Sequence, residues 1–300
     1  MFDFRLLLLL AGTFILLPGL AQAKVWQVSH SEDTGVAEIQ KAFAMAEPGD
    51  EILIEAGVYI ADSEATWETS PFLLSGKSDI VVRSEEGAYL LEQFIFSTPL
   101  TIENCDGVVF ENIHFGHANT IGACAGGVII LHYSSNISFN GCVIHGSGSF
   151  AVEASVAKNV SFTECALVDC SSRGVILDEC LDFTFTDCLF ANNDQEYFEG
   201  GLFVDVSNLP IELTLHNCLI IDNHSKFLGL EEINIVDSII IHNIFDERSE
   251  FDSVNGIFFM AIDEEYHVDL SLSMDTGPRT DTAANNYIVF QGLDVYTSTY

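Results

Sequence analysis

Ile137-Ser-Phe-Asn-Gly-Cys142, Val160-Ser-Phe-Thr-Glu-Cys165 and Phe183-Thr-Phe-Thr-Asp-Cys188 are three spellings of one phrase, spaced by 23 residues. Leu213-Thr-Leu-His-Asn-Cys218 and Ile233-Asn-Ile-Val-Asp-Ser238 continue it. A self-similar unit of this length marks a stacked architecture, in which no unit can bury its apolar face without its neighbours. Each phrase is a short apolar-x-apolar strand, two turn residues, and a small residue that points back inside. Phe110, Phe139, Phe162, Phe185, Leu215 and Ile235 are equivalent positions, with steps of 29, 23, 23, 30 and 20 residues. A coil of constant cross-section cannot grow, so the longer steps eject surface loops, at residues 117–127 and 194–201. About 23 residues per coil accommodates three strands.

Working outward, Ile129–Leu131, Ala151–Ala154, Val175–Leu177 and Leu202–Val204 supply the strand after the longer turn in successive coils. Upstream, Val25–Val28 and Glu51–Tyr59 read as strands, with further short strands through Phe115. Between the first two, Val36, Ile39, Phe43 and Ala46 recur at helical spacing, and Pro48-Gly49-Asp50 stops the run. The helix is expected to cap the open first layer of the stack. After Asn243 the phrase fades, and residues 245–300 read as a terminal coil and cap. One continuous domain over 24–300 is expected, clearest over 100–243, and no linker divides it.

Residues 1–23 have the order of a secretory leader: Arg5, an apolar run from Leu6 to Leu17, then Ala21-Gln-Ala23, with cleavage expected after Ala23. No later run is apolar enough to span a membrane. The expected location is therefore secreted, periplasmic or cell-surface. The chain carries 45 acids against 10 Lys and Arg, a formal net charge of −35. Such a surface repels nucleic acid, anionic lipid and polyuronates unless cations bridge them. Hydrophobic residues at 48% exclude a disordered acidic tail and require a sizeable core.

Eight cysteines in an exported chain would ordinarily suggest disulfides. The 23-residue register of Cys142, Cys165 and Cys188 instead predicts a buried ladder of small apolar groups. Bridges between Cys165 and Cys170, or Cys105 and Cys124, stay open on spacing, and no Cys/His set has zinc spacing. Asn136, Asn159 and Asn223 head Asn-x-Ser sequons that otherwise serve as turn residues.

The run Ile39-Gln-Lys-Ala-Phe-x-x-Ala-x-Pro-Gly-Asp-Glu-Ile-Leu-Ile-x-x-Gly-Val-Tyr59, followed by the apolar-x-apolar-x-x-Cys units, resembles right-handed parallel β-helix proteins of the pectin-lyase-like superfamily. The resemblance runs from about Gly35 to Asn243 and is most like secreted bacterial proteins of generic β-helix repeats. It implies an all-β fold: a single-stranded right-handed parallel β-helix with an N-terminal capping helix. It also implies a monomer that interacts with extracellular or cell-envelope polysaccharide. Relatives include lyases, hydrolases, epimerases and non-enzymatic surface proteins, so the fold does not choose an activity. The chain lacks Asn-Thr-Asp, Asp-Asp, Gly-His-Gly, Arg-Ile-Lys and Trp-x-Asp-His, the signatures of polygalacturonases and pectate lyases.

In this fold the working groove follows the strands after the longer turns. With Val152 and Val175 inward, alternation sends Glu153, Ser155, Ile176 and Asp178 outward, with Asp169 and Arg173 on the turn between and His145 and Asp205 flanking. A uronate lyase or epimerase would use Arg173 and His145 as catalytic groups and bind Ca²⁺ through Asp169 and Asp178, with Glu153 as a further carboxylate. Glu153, Asp178 and Asp205 are the substrate-binding candidates. A glycosidase would instead need two carboxylates about 5 to 9.5 Å apart, for which Glu153 and Asp178 are placed. The third reading is a non-enzymatic acidic rod that binds glycan or protein along its flank.

Overall fold

A computed structural model describes residues 23–31, 34–62, 70–118, 126–171, 173–193, 202–207, 211–225, 233–241, 243–245 and 258–260. The expected leader, residues 1–23, lies outside this set but for Ala23, as do Cys124 and most of the expected terminal coil and cap.

The chain opens with β1 (Val25–Val28), α1 (Gly35–Met45), β2 (Glu51–Ile54) and β3 (Gly57–Ala61). Two coils follow, each with a short strand and a twelve-residue strand that turns a corner: β4 (Phe72–Ser75) with β5 (Val81–Glu92), then β6 (Leu100–Glu103) with β7 (Asp106–His117). From there every coil has three strands. They are β8 (Ile129–His132), β9 (Ser135–Asn140) and β10 (Val143–His145); β11 (Phe150–Ser155), β12 (Lys158–Thr163) and β13 (Ala166–Val168); and β14 (Arg173–Asp178), β15 (Leu181–Thr186) and β16 (Leu189–Ala191). The series continues with β17 (Phe203–Asp205), β18 (Leu213–His216) and β19 (Leu219–Ile221), then β20 (His224–Ser225), β21 (Ile233–Val236) and β22 (Ile239–Ile241), and closes with β23 (Ile244–Phe245) and β24 (Phe258–Met260).

Every pairing is parallel and joins equivalent strands of neighbouring coils, which makes the chain an all-β solenoid of about six turns. The first face runs through β9, β12, β15, β18 and β21, and the second through β10, β13, β16, β19, β22 and β24. β7 belongs to both, pairing with β9 through its first half and β10 through its second. The third face is β4, β6, β8, β11, β14 and β17.

The repeat dictates the core. Phe110, Phe139, Phe162 and Phe185 lie in register and stack face to face, with centroid separations of 5.1, 4.6 and 4.7 Å. Neighbouring parallel strands are about 4.8 Å apart, so identical rings at identical positions stack without adjustment. Helix α1 turns Ile39, Ala42 and Phe43 onto the first layer and closes the stack's open end. Beside it the carboxylate of Asp50 accepts from the Lys24 amide, the Trp26 indole and the Glu47 amide at 2.8 to 3.0 Å, tying the first strand to the helix stop.

The corners hold polar ladders. Cys142, Cys165, Cys188 and Cys218 are buried reduced thiols, each directed at the backbone carbonyl two residues before it and at one in the preceding coil. Cys165 and Cys170 are both free, so the bridge left open between them is not formed. They flank β13 at two corners of one coil, and the extended strand between them holds their Cα atoms beyond the reach of a disulfide. At the corner between the second and third faces, Asn193, Asn223 and Asn243 form a second ladder through side-chain amides. The corner between the third and first faces takes left-handed backbone at two residues in each of four successive coils: Asn104 with Gly107, Tyr133 with Asn136, Val156 with Asn159 and Glu179 with Asp182.

Candidate functional site

The third face sets Glu153 between Asp178 and Arg173, which stand at opposite ends of the neighbouring strand β14. Strand register sets out two outward columns. One is Leu73, Thr101, Ile130, Glu153, Ile176 and Val204; the other is Ser75, Glu103, His132, Ser155 and Asp178. Val152, Ala154, Val175 and Leu177 alternate with them and point into the coil, fully buried. The columns stand two residues apart along each strand, about 6.6 Å.

Glu153 is half-buried, held along its column between Ile130 and Ile176. Burial raises its carboxyl above the usual range, His132 and Arg173 oppose that rise, and Asp178 adds to it. Its proton is therefore held harder than on an exposed glutamate. Asp178 accepts a 3.4 Å hydrogen bond from the Ser155 hydroxyl. Arg173 starts β14, and its Nε is buried without a hydrogen-bond partner. At the end of the polar column the chain turns through Tyr133 and Val156, which are 61% and 42% exposed, and the His132 and Tyr133 rings lie 6.3 Å apart. Neither turn residue carried a signal among the acids that dominate the sequence.

The other expected residues lie elsewhere. Asp169 sits on the corner before β14, half-buried, with its carboxyl raised by burial against a hydrogen bond from Asn192. Asp178 ends β14, so about 16 Å of strand separates the two carboxylates. Asp169 and Asp178 do not form one cation site, and among the described residues no group of three or more His, Cys, Asp and Glu side chains is placed to hold a metal. Asp205 pairs in register with Leu177, in line with Ala154 and Leu131.

His145 lies on the second face, one corner away from Glu153, in register with Gly116 and Val168. It is 3% exposed. Burial and nearby His117 push its imidazole down to about 4. A Cβ on Gly116 would stand 2.7 and 2.8 Å from its Cε1 and Nε2, so the ring lies over a backbone that only glycine leaves open. His114 is buried beside it against Tyr89, ring centroids 4.2 Å apart, and burial with His145 pushes it down to about 3. His117 sets its two ring nitrogens against the carbonyls of Ser97 and Gly146 at 2.8 and 3.2 Å. These imidazoles lie beside a second apolar cluster, Val143, Ala166, Val168, Leu189, Ala191 and Ile221, and not beside Arg173.

The family model described as a right handed beta helix region matches residues 93–245, just over half of the chain. The chain belongs to the right-handed β-helix family. Among solved structures it is similar to pectate lyase Pel9A, at 12% identity and a TM-score of 0.51 over 79% of this chain and 73% of the lyase. It is also similar to ORF18 of Geobacillus virus E2, at 11% identity and a TM-score of 0.51 over 73% of this chain and 49% of the viral protein. At these identities the likeness is one of fold. No curated protein matches the sequence. Among the described residues no helix is long and apolar enough to cross a membrane.

Proposed function

We propose that this β-helix is an exported protein that engages extracellular or cell-envelope polysaccharide along its third face, with Glu153 as the acid at the centre of the site. The observation that carries this reading is Glu153 itself: an outward carboxyl whose proton is held by burial, beside a second carboxyl, Asp178, and a cation, Arg173. Two carboxyl groups of unequal environment are what glycosidic cleavage requires. One donates a proton to the leaving oxygen, and the other, as carboxylate, activates water or attacks the anomeric carbon. Glu153 takes the first role and Asp178 the second.

The competing reading is β-elimination from a uronate, with Arg173 as base and Ca²⁺ on Asp169 and Asp178. The length of β14 lies between the corner that carries Asp169 and Asp178, which disfavours a shared cation, and no step is assigned to one.

The test is a panel of neutral, amino and acidic polysaccharides, followed both by reducing ends and by ultraviolet absorbance of unsaturated products. New reducing ends without absorbance, reduced about 10²- to 10⁴-fold in Glu153→Gln, support the acid role. Absorbance lost in Arg173→Ala would replace it with the lyase. Retention of a glycan without cleavage would leave the face as a binding surface, and a panel neither bound nor cleaved would end the polysaccharide reading.

A further inference from the structure

We propose that the N-terminal end of the solenoid is an interface for a second copy of this chain, joined by antiparallel pairing of the two β1 edges across a two-fold axis. The inference stands apart from the glycan reading of the third face, and it puts a dimer in place of the monomer that the resemblance implied.

A stack of strands ends in strands that pair on one side only. At this end they are β1, which pairs with β2, β3, which pairs with β5, and β4, which pairs with β6. Monomeric proteins blunt such edges with lysine, other charges or proline. Here the rule is inverted. Val-Trp-Gln-Val, Gly-Val-Tyr-Ile-Ala and Phe-Leu-Leu-Ser hold no charged residue and no proline. The strands they pair with, covered on both sides, carry Glu51, Arg83, Glu85, Glu86, Glu92 and Glu103. Val25, Met45, Val58, Ile60 and Leu73 are all exposed at this end, half of the exposed large hydrophobic side chains among the described residues. Helix α1 fills the interior of the first layer with Ile39, Ala42 and Phe43 and leaves these residues outside.

Strand β1 specifies the partner. The Lys24 and Val28 carbonyls accept from the Glu51 and Glu55 amides at 2.9 Å. Strand parity therefore turns the amides and carbonyls of Val25 and Gln27 away from β2, toward the open end. An isologous contact brings the same edge from both copies, and a two-fold axis through Trp26 sets each Val25 opposite the partner's Gln27. These are hydrogen-bonded positions of an antiparallel pair, so every open amide and carbonyl of the two edges gains a partner. The charges fit the same arrangement. Lys24 precedes β1, and Glu55 lies beside its other end, where its amide bonds to Val28 and its carboxylate accepts from the His30 amide. Antiparallel pairing brings Lys24 of each copy to the Glu55 end of the other, whereas parallel pairing would set like charges together. Lys24 Nζ rests 3.0 Å from the centroid of the Trp26 ring, on the axis of the pair. Along the flanks, a chain of net charge −35 repels its copy, which disfavours a side-by-side pair.

Sedimentation equilibrium of the protein isolated after export, with its first residue fixed by N-terminal sequencing, is expected to show monomer and dimer and no larger species. Gln27→Pro removes an amide that faces only the open edge, and Val25→Lys places a charge beside it. Each should weaken the dimer at least about tenfold. Leu181→Lys, at an exposed apolar residue on the corner that opens β15, should change it less than about twofold. Lys24→Glu and Glu55→Lys should each weaken the dimer, and the two together should restore it. Thermal melts of each variant separate lost pairing from lost folding, and Val25→Lys, at an exposed position, carries the test where Gln27→Pro fails to fold.

A protein that stays monomeric up to about 1 mM would overturn the inference, as would a dimer equally stable in Val25→Lys and Gln27→Pro. A dimer found only where residues 1–23 are retained would assign the contact to the leader and overturn it too. An open-ended series of oligomers would do the same, since two-fold pairing closes on itself. Failure of the charge exchange to restore pairing would overturn the antiparallel arrangement.

Discussion

The backbone amide of Cys142 donates to the sulfur of Cys165 in the next coil, 3.4 Å away. The Cys165 thiol in turn is directed at the Phe139 and Thr163 carbonyls, each at 3.3 Å. The ladder position therefore needs a small side chain that accepts from one coil and donates to another. Ser238 does the same at the ladder's end, accepting from the Cys218 amide and donating to the Val236 carbonyl, both at 2.9 Å. Cys165→Ser should then cost no more than about 1 kcal/mol, whereas Cys165→Val, which leaves the Cys142 amide unpaired, should cost about 1–3 kcal/mol. Urea midpoints at constant slope would measure both. Burial pushes the Cys165 thiol up, and the Cys170 thiol up to about 12, so neither should react with a thiol reagent before unfolding.

Asn223 is the hinge of the other ladder. Its Oδ1 accepts from the Asn193 backbone amide at 3.1 Å and side-chain amide at 2.9 Å, and its Nδ2 donates to Phe190 and Ile221 carbonyls at 2.9 and 3.0 Å. Asn223→Ala would strand the buried Asn193 amide and is expected to destabilise by about 2–4 kcal/mol, as more than one buried group loses its partner. Asn223→Asp keeps the acceptor but loses the donor and buries a charge, so thermal denaturation should rank it no better than Ala. At 1% exposure Asn223 is also closed to glycosylation in the folded chain, unlike the exposed Asn136 and Asn159.

These two ladders show what the sequence discloses. The Cys column is legible because its first members recur at a fixed step of 23 beside a conspicuous aromatic. The Asn column is as regular, and its steps of 30 and 20 from Asn193 match those from Phe185 to Leu215 to Ile235. It escapes notice because asparagine is also the ordinary turn residue. The outward placement of Glu153 and Asp178 follows from alternation within one strand, which sequence parity determines. Across a corner that parity is lost. His145 was expected beside Arg173 but lies on another face, and Asp205, after the loop expected at 194–201, pairs in register with Leu177 rather than with Ile176 or Asp178. Strand β4 also went unread, since Phe72–Ser75 has no repeated phrase to mark it.

Val156 holds a left-handed backbone, φ 53°, at the turn that closes the candidate site. A β-branched side chain there crowds the following carbonyl, at a cost of about 1–2 kcal/mol relative to a residue that adopts this region readily. The equivalent residue two coils earlier is Asn104, with the same φ of 53°. Val156→Asn should raise the midpoint of thermal unfolding by about 2–6 °C. If the strained, exposed Tyr133 and Val156 edge contributes to glycan binding, the same variant should lose affinity while gaining stability. A variant that loses both would show that the aliphatic side chain packs more than it strains.

The buried imidazoles make the fold acid-sensitive. His114 and His145 are pushed down to about 3 and 4 mainly by burial, so in the folded chain they stay neutral at pH values where the unfolded chain protonates them near 6.5. The unfolded state therefore binds more protons than the native state below about pH 6.5, and stability must fall as pH falls through that window toward about 4. Each histidine that remains neutral in the fold contributes a slope of about 1.4 kcal/mol per pH unit. Asp50 acts lower. Its hydrogen bonds, the Glu47 amide first, hold its carboxyl below the usual range against burial, so its stabilisation is complete above about pH 4 and is lost below it. Urea midpoints taken from pH 8 to pH 4 should be level above about 7 and then decline. In His145→Gln, which keeps a polar side chain but cannot titrate, the decline should be shallower by about one proton's slope. An unchanged slope would mean that His145 takes up its proton within the fold, over the Gly116 backbone, without unfolding it.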